Sequence, residues 1–123
     1  MSSQRFVIQK HTKSGSSHWD MMVQKGDFLQ TWRLDKEPRQ IHLQNTPAKA
    51  EKIFDHPLKF LTYEGPVNKG KGRVKIADAG TYKIINQDAG KIEMELAGEI
   101  LKGKFILTHI AENGWELGSK IIF

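Results

Sequence analysis

Hydrophobic and polar positions alternate along most of this chain in short runs, and glycine or small polar residues interrupt each run. Arg5–His11 places Phe6, Ile8 and Lys10 on one face and Val7, Gln9 and His11 on the other, the period-two pattern of a strand. The small polar cluster Thr12–Ser17 predicts a turn. His18–Lys25 and Phe28–Leu34 read as strands joined at Gly26-Asp27 in a hairpin. Arg39–Gln44 reads as a weak strand. Thr46 can cap and Pro47 suits a first helical turn, so the one good helix candidate covers Ala48–Phe54 and stops at His56-Pro57. Further strands are predicted over Leu58–Tyr63, Gly72–Ala77, Thr81–Ile85, Lys91–Leu96, Lys104–Ile110 and Trp115–Ile122. The expected fold class is mainly β, a compact antiparallel β-barrel of short strands with one or two short helices. No linker or repeat breaks the pattern, so residues 1–123 are expected to form a single domain.

Composition narrows the chemistry. Cysteine is absent, which excludes disulfides, thiolate metal sites and cysteine nucleophiles. A metal would have to be held by His, Asp, Glu or backbone oxygen. No apolar run approaches the ~18–20 residues of a membrane span, and the first residues lack the apolar stretch of a signal peptide. A cytoplasmic protein with no membrane partner is therefore expected. Nineteen Lys+Arg against 14 Asp+Glu give a net charge of +5, compatible with a polyanionic partner.

His11, His18 and Asp20 are the informative residues. His18 and Asp20 are two apart, so on a strand they share a face, and the Thr12–Ser17 turn can fold His11 back towards them. Two imidazoles and a carboxylate leave half an octahedron open, an arrangement suited to manganese, iron or zinc with substrate oxygen in the open positions. From this spacing alone, a solvated strand edge is the commoner meaning. Arg33 and Lys36, after Trp32, are candidate phosphate contacts or a solvated strand end. The basic, glycine-rich segment Asn68–Arg73 reads equally as a track for a nucleic-acid backbone or as a hairpin turn with solubilising lysines. Trp19, Trp32 and Trp115 are read as core before base-stacking, and Trp19 points away from the His18/Asp20 face. His42 and His109 have no partners at ligand spacing.

Six segments occur in an order that resembles a known family. They are Gln9-Lys10-His11 with His18-Trp19-Asp20; Asp55-His56-Pro57-Leu58; Tyr63-Glu64-Gly65; Gly72-Arg73-Val74-Lys75-Ile76 with Asp78 and Gly80-Thr81-Tyr82; Gly98-Glu99-Ile100-Leu101-Lys102-Gly103; and a Trp, Trp115, opening the last strand. Together they resemble the 3′-phosphoesterase domain of bacterial DNA ligase D, in a short free-standing form.

The resemblance implies a compact β-barrel that binds a divalent metal, commonly manganese, with zinc or another divalent ion as an alternative. It implies trimming of a 3′-terminal ribonucleotide to its 3′ phosphate and removal of that phosphate. His11, His18 and Asp20 would be the metal ligands, and His56 the catalytic residue touching the scissile phosphate. Gln9, on the same strand face as His11, joins it as a catalytic candidate. The implied partners are nucleic-acid 3′ ends, beside a repair polymerase or ligase. The chain departs from the family pattern at Met22, Phe54 and Phe60, where the family has Arg, Glu and Tyr. These departures favour an alternative, a catalytically weak or inactive module that binds 3′ ends.

Overall fold

The computed structural model describes residues 4–120 and is mainly β. The strands are β1 (Gln4–Lys13), β2 (Ser16–Lys25), β3 (Phe28–Leu34), β4 (Ala48–Pro57), β5 (Gly65–Val67), β6 (Gly72–Asp88), β7 (Lys91–Gly98), β8 (Lys102–Ala111) and β9 (Gly114–Ser119). One short helix, α1 (Pro38–His42), and two 3-10 turns, Leu58–Leu61 and Asn68–Gly70, complete the elements. β1 pairs antiparallel with β2 on one side and β6 on the other. The ladder therefore runs β1-β2-β3-β4-β9-β8-β7-β6 and returns to β1, with β5 added beside the start of β6.

Strand alternation divides the apolar residues between two clusters. The larger holds Phe6, Ile8, Met21, Trp32, Leu96 and Phe105, with others, on one side of the sheet. Trp19 and Trp115 pack against it, so all three tryptophans serve the core. The smaller cluster, Val7, Met22, Leu29 and Leu61, lies on the opposite side of β1–β3, beneath the Leu58–Leu61 turn. The site described below grows from this second face.

The β1–β2 hairpin turns on Ser14 and Gly15, both at positive φ (51° and 79°). That geometry matches the right-handed twist of the flanking strands and favours glycine at its second position. On the far side of the sheet, buried Asp78 holds the β7–β8 connection. Its carboxylate accepts hydrogen bonds from the backbone N–H groups of Glu99, Ile100 and Leu101 as well as Ala79. A Cβ at Gly98 would stand 2.7 Å from Asp78 Oδ2 and from Phe6 Cζ, so only glycine admits that carboxylate.

Four expectations are corrected. Ala48–Phe54 is strand, not helix: it pairs with β3 and β9, and Ala48 and Ala50 are buried between exposed Lys49 and Glu51. Arg39–Gln44 is not a strand, because α1 occupies Pro38–His42. Pro38 stands in its first turn and a Glu37/Gln40 capping box closes its start. Leu58–Leu61 is a 3-10 turn after Pro57, and it folds over the smaller cluster. The strands predicted at Gly72–Ala77 and Thr81–Ile85 are parts of one long β6. Residues 121–122 of the last predicted strand lie outside the described residues.

Candidate metal centre and phosphate site

The first hairpin brings the predicted triad together. β1 and β2 pair His11 with His18 and Gln9 with Asp20, so these four side chains share a face. His11 Nδ1 and Asp20 Oδ2 each lie 3.2 Å from His18 Nε2. One ligand atom from each residue lies within 4.8 Å of the other two. Bonds of about 2.1 Å place neighbouring ligand atoms roughly 3–3.5 Å apart around an ion; the two 3.2 Å contacts to His18 match this, and a small inward turn of the His11 or Asp20 side chain would bring the third pair within reach of a shared cation. Asp20 is buried, and its Oδ1 has no hydrogen-bond partner among the described residues. A buried carboxylate oxygen without a donor is costly, and a divalent cation would satisfy it. Burial, and then the charge of His18, hold the His11 imidazole below its ordinary pKa against the pull of Asp20. The neutral ring so favoured is the form that ligates metals.

Arg33 is the basic residue at this triad. It faces Asp20 across β2–β3, its Nε 3.8 Å from Asp20 Oδ1. With His18 it lines a groove of about 940 Å³ that continues to Ile110 and Trp115. Its side chain is partly exposed, leaving guanidinium donors free for a phosphate. Lys36 is placed differently: its ammonium lies 3.6 Å from Asp35, and it does not line this groove. Gln9 is buried, and its amide donates to the Phe60 and Tyr63 carbonyls, both at 3.0 Å. It ties the turn carrying Phe60 to β1. Asn68–Arg73 forms a 3-10 turn and the start of β6, and Arg73 lines a second cleft with Lys10 and Lys75.

His56 stands one pleat along the same face. Its Nδ1 is 2.8 Å from Thr31 Oγ1, and Thr31 is two residues from Arg33 on β3. The Thr31 hydroxyl also lies 3.3 Å from the Leu29 carbonyl, so Nδ1 is engaged by Thr31 while Nε2 is the ring nitrogen on the far side of the imidazole. Phe54 stacks on the imidazole, with centroids 4.8 Å apart, and Phe60 meets it edge-on. Burial lowers the His56 pKa from 6.5, while Asp20 raises it by a smaller amount. The unfolded chain therefore binds this proton more readily than the folded one. Stability of the metal-free protein should hold above pH 6.5 and fall as pH drops from there through the lowered folded pKa. Urea titrations from pH 8 to 5 check this, and His56→Gln should flatten the slope.

Residues 9–109 match the model of the DNA ligase D 3′-phosphoesterase domain. The chain belongs to this family. The multifunctional non-homologous end joining protein LigD of Mycobacterium bovis is 29% identical over 118 residues, covering 89% of this chain and 15% of that protein. The multifunctional non-homologous end joining DNA repair protein LigD of Mycobacterium tuberculosis gives the same figures. This chain thus spans about 15% of the length of these relatives.

Two residues of this LigD-type phosphoesterase domain matter to the site although the sequence reading gives neither a role there. Thr31 fixes His56, and only its alternation with Arg33 along β3 hints at a shared face. Gly72 makes room for His11: a Cβ there would stand 2.6 Å from His11 Nε2. Gly72→Ala should push the imidazole off its present position and weaken manganese binding about 10-fold or more, as changes behind metal ligands do. Calorimetric titration of metal into the variant checks this. Met22, where the resemblance places an arginine, is 1% exposed and packs with Val7, Leu29 and Leu61. Its thioether belongs to the smaller core and offers a phosphate nothing.

Proposed function

We propose that this chain is a metal-dependent phosphoesterase that processes 3′ ends of DNA, removing a 3′-terminal ribonucleotide or a 3′ phosphate. The observation that carries the reading is the convergence of His11, His18 and Asp20 ligand atoms within 4.8 Å, in a member of the DNA ligase D 3′-phosphoesterase family. The ring of strand pairings is read as a compact β-barrel that presents this site on its outer face. His11, His18 and Asp20 would hold a divalent ion, with manganese the proposed metal. When bound, the ion supplies Lewis-acid neutralisation of phosphate charge.

The protein's own groups divide the remaining work. Arg33 contacts a non-bridging phosphate oxygen from the groove side. His56, fixed by Thr31 and Phe60, presents Nε2 to the scissile phosphate. Water adds to phosphorus and releases a proton to solvent, the bond to the leaving oxygen breaks, and protonated His56 gives its Nε2 proton to that oxygen. Burial works against the protonated imidazole, and an approaching phosphate anion works for it. Lys10, Arg73 and Lys75 add positive charge along the path of a nucleic-acid backbone. The relatives' end-joining names support a place beside a repair ligase or polymerase.

Incubating the manganese-loaded protein with primer-templates ending in one ribonucleotide or in a 3′ phosphate tests the reading. Shortened or dephosphorylated primers are expected on a denaturing gel. Met22 in the apolar cluster and Phe60 without a hydroxyl favour a second reading, a module that binds 3′ ends without turnover. Tight binding with both substrates intact would establish that second reading in place of the first.

A further inference from the structure

Phe54 is 72% exposed, the most exposed large hydrophobic side chain among the described residues, yet it lies against half-buried His56. Its position follows from a register slip in β4. Leu29 faces His56 and Thr31 faces Ile53, so Phe54 and Asp55 together stand opposite Gln30. Such an extra residue re-aims side chains beside functional sites. Here it lets Phe54 and His56 stack, with ring planes 20° apart. The aromatic series continues inward from His56 to Phe60 and then to Tyr63. One face of the Phe54 ring is covered by the imidazole, and its exposure leaves the other face open to solvent. A flat apolar ring with one free face, backed by a rigid stack, suits a flat aromatic ligand.

We propose that Phe54 is the platform on which the 3′-terminal nucleobase stacks, so that the protein selects 3′ ends whose last base is unpaired. The inference rests on the 3′-end reading above and adds the substrate form. A paired terminal base keeps both faces within the duplex, whereas a frayed or single-stranded end frees one for the ring. Stacking tolerates any base because each has a π face, so the preference is for the unpaired state and not for a sequence.

The test is equilibrium binding, which needs no turnover. Fluorescence anisotropy would compare a single-stranded oligonucleotide ending in a 3′ phosphorothioate with the same strand whose terminal residue is abasic. The wild-type protein should bind the base-bearing end about 5- to 100-fold more tightly, the range one base–aromatic stack commands. Phe54→Ala should bring that ratio close to one while leaving affinity for the abasic end unchanged, and Phe54→Trp should preserve it. If Phe54→Ala keeps the wild-type ratio, or weakens both ends equally, the ring serves only to support His56 and the proposal is overturned. If wild-type protein ignores the 3′ phosphorothioate and Asp20→Ala changes nothing, the 3′-end reading fails first and takes this inference with it.

Discussion

Replacing Asp20 with alanine is expected to lower manganese-dependent release of a 3′ phosphate by more than about 1,000-fold. The carboxylate is the only anionic member of the triad, and it sits buried where its charge is least screened by water. Lewis-acid stabilisation of a phosphoryl group is worth several kcal/mol, and about 1.4 kcal/mol corresponds to tenfold in rate. Two imidazoles alone would neither charge-balance the cation nor fix its position. The fold should tolerate the change, since the hydrogen bond lost is to His18 and the nearby Arg33 is already partly exposed. Initial rates and manganese calorimetry on the variant, with a thermal melt as control, decide the matter. A variant that keeps its rate within tenfold would remove Asp20 from the metal centre.

The second large effect concerns stability. Asp78→Ala should destabilise the protein by about 3–5 kcal/mol, a large part of the 5–15 kcal/mol typical of a domain. Four backbone N–H groups converge on this one carboxylate, three of them from Glu99, Ile100 and Leu101. Alanine would strip them of their acceptor, and the position is 2% exposed, so water replaces it poorly. Asp78→Asn keeps one acceptor oxygen and turns the other into a donor facing N–H groups, so it should fall between the two. Urea unfolding of the three proteins, with m-values compared, measures the difference. A loss below about 1 kcal/mol for alanine would mean that the turn finds other partners.

The first hairpin was legible because its information is local. Alternation set the faces of Arg5–His11 and His18–Lys25, and the triad follows from a pairing that spans only a short turn. β4 is not legible as a strand because Thr46-Pro47 and the alanines favour a helix locally, whereas partners distant in sequence, β3 and β9, supply its hydrogen bonds. At α1 the cause is the opposite: the run Arg39–Gln44 alternates like a strand, but the Glu37-Pro38 start that precedes it sets a helix. The role of Gly72 is not legible in the sequence because its reason, the His11 ring, comes from the other end of a long-range pairing, His11 with Val74. Lys36 and Arg33 are near neighbours in sequence, yet only Arg33 remains on the strand face that carries Asp20.

The placement of all three ligands in one hairpin also orders events during folding. A hairpin forms in about 1–10 μs, whereas closing β1 onto β6 must bring together distant parts of the chain and is intrinsically slower. His11, His18 and Asp20 are therefore neighbours before Gly72 arrives to shape the space behind His11. In the metal-dependent reading, a cation present at that moment would meet a half-built nest and favour the one hairpin register in which His11, His18 and Asp20 face the same way. The ion would then act as a folding guide as well as a reagent, and the slow closure would finish housing for something already held.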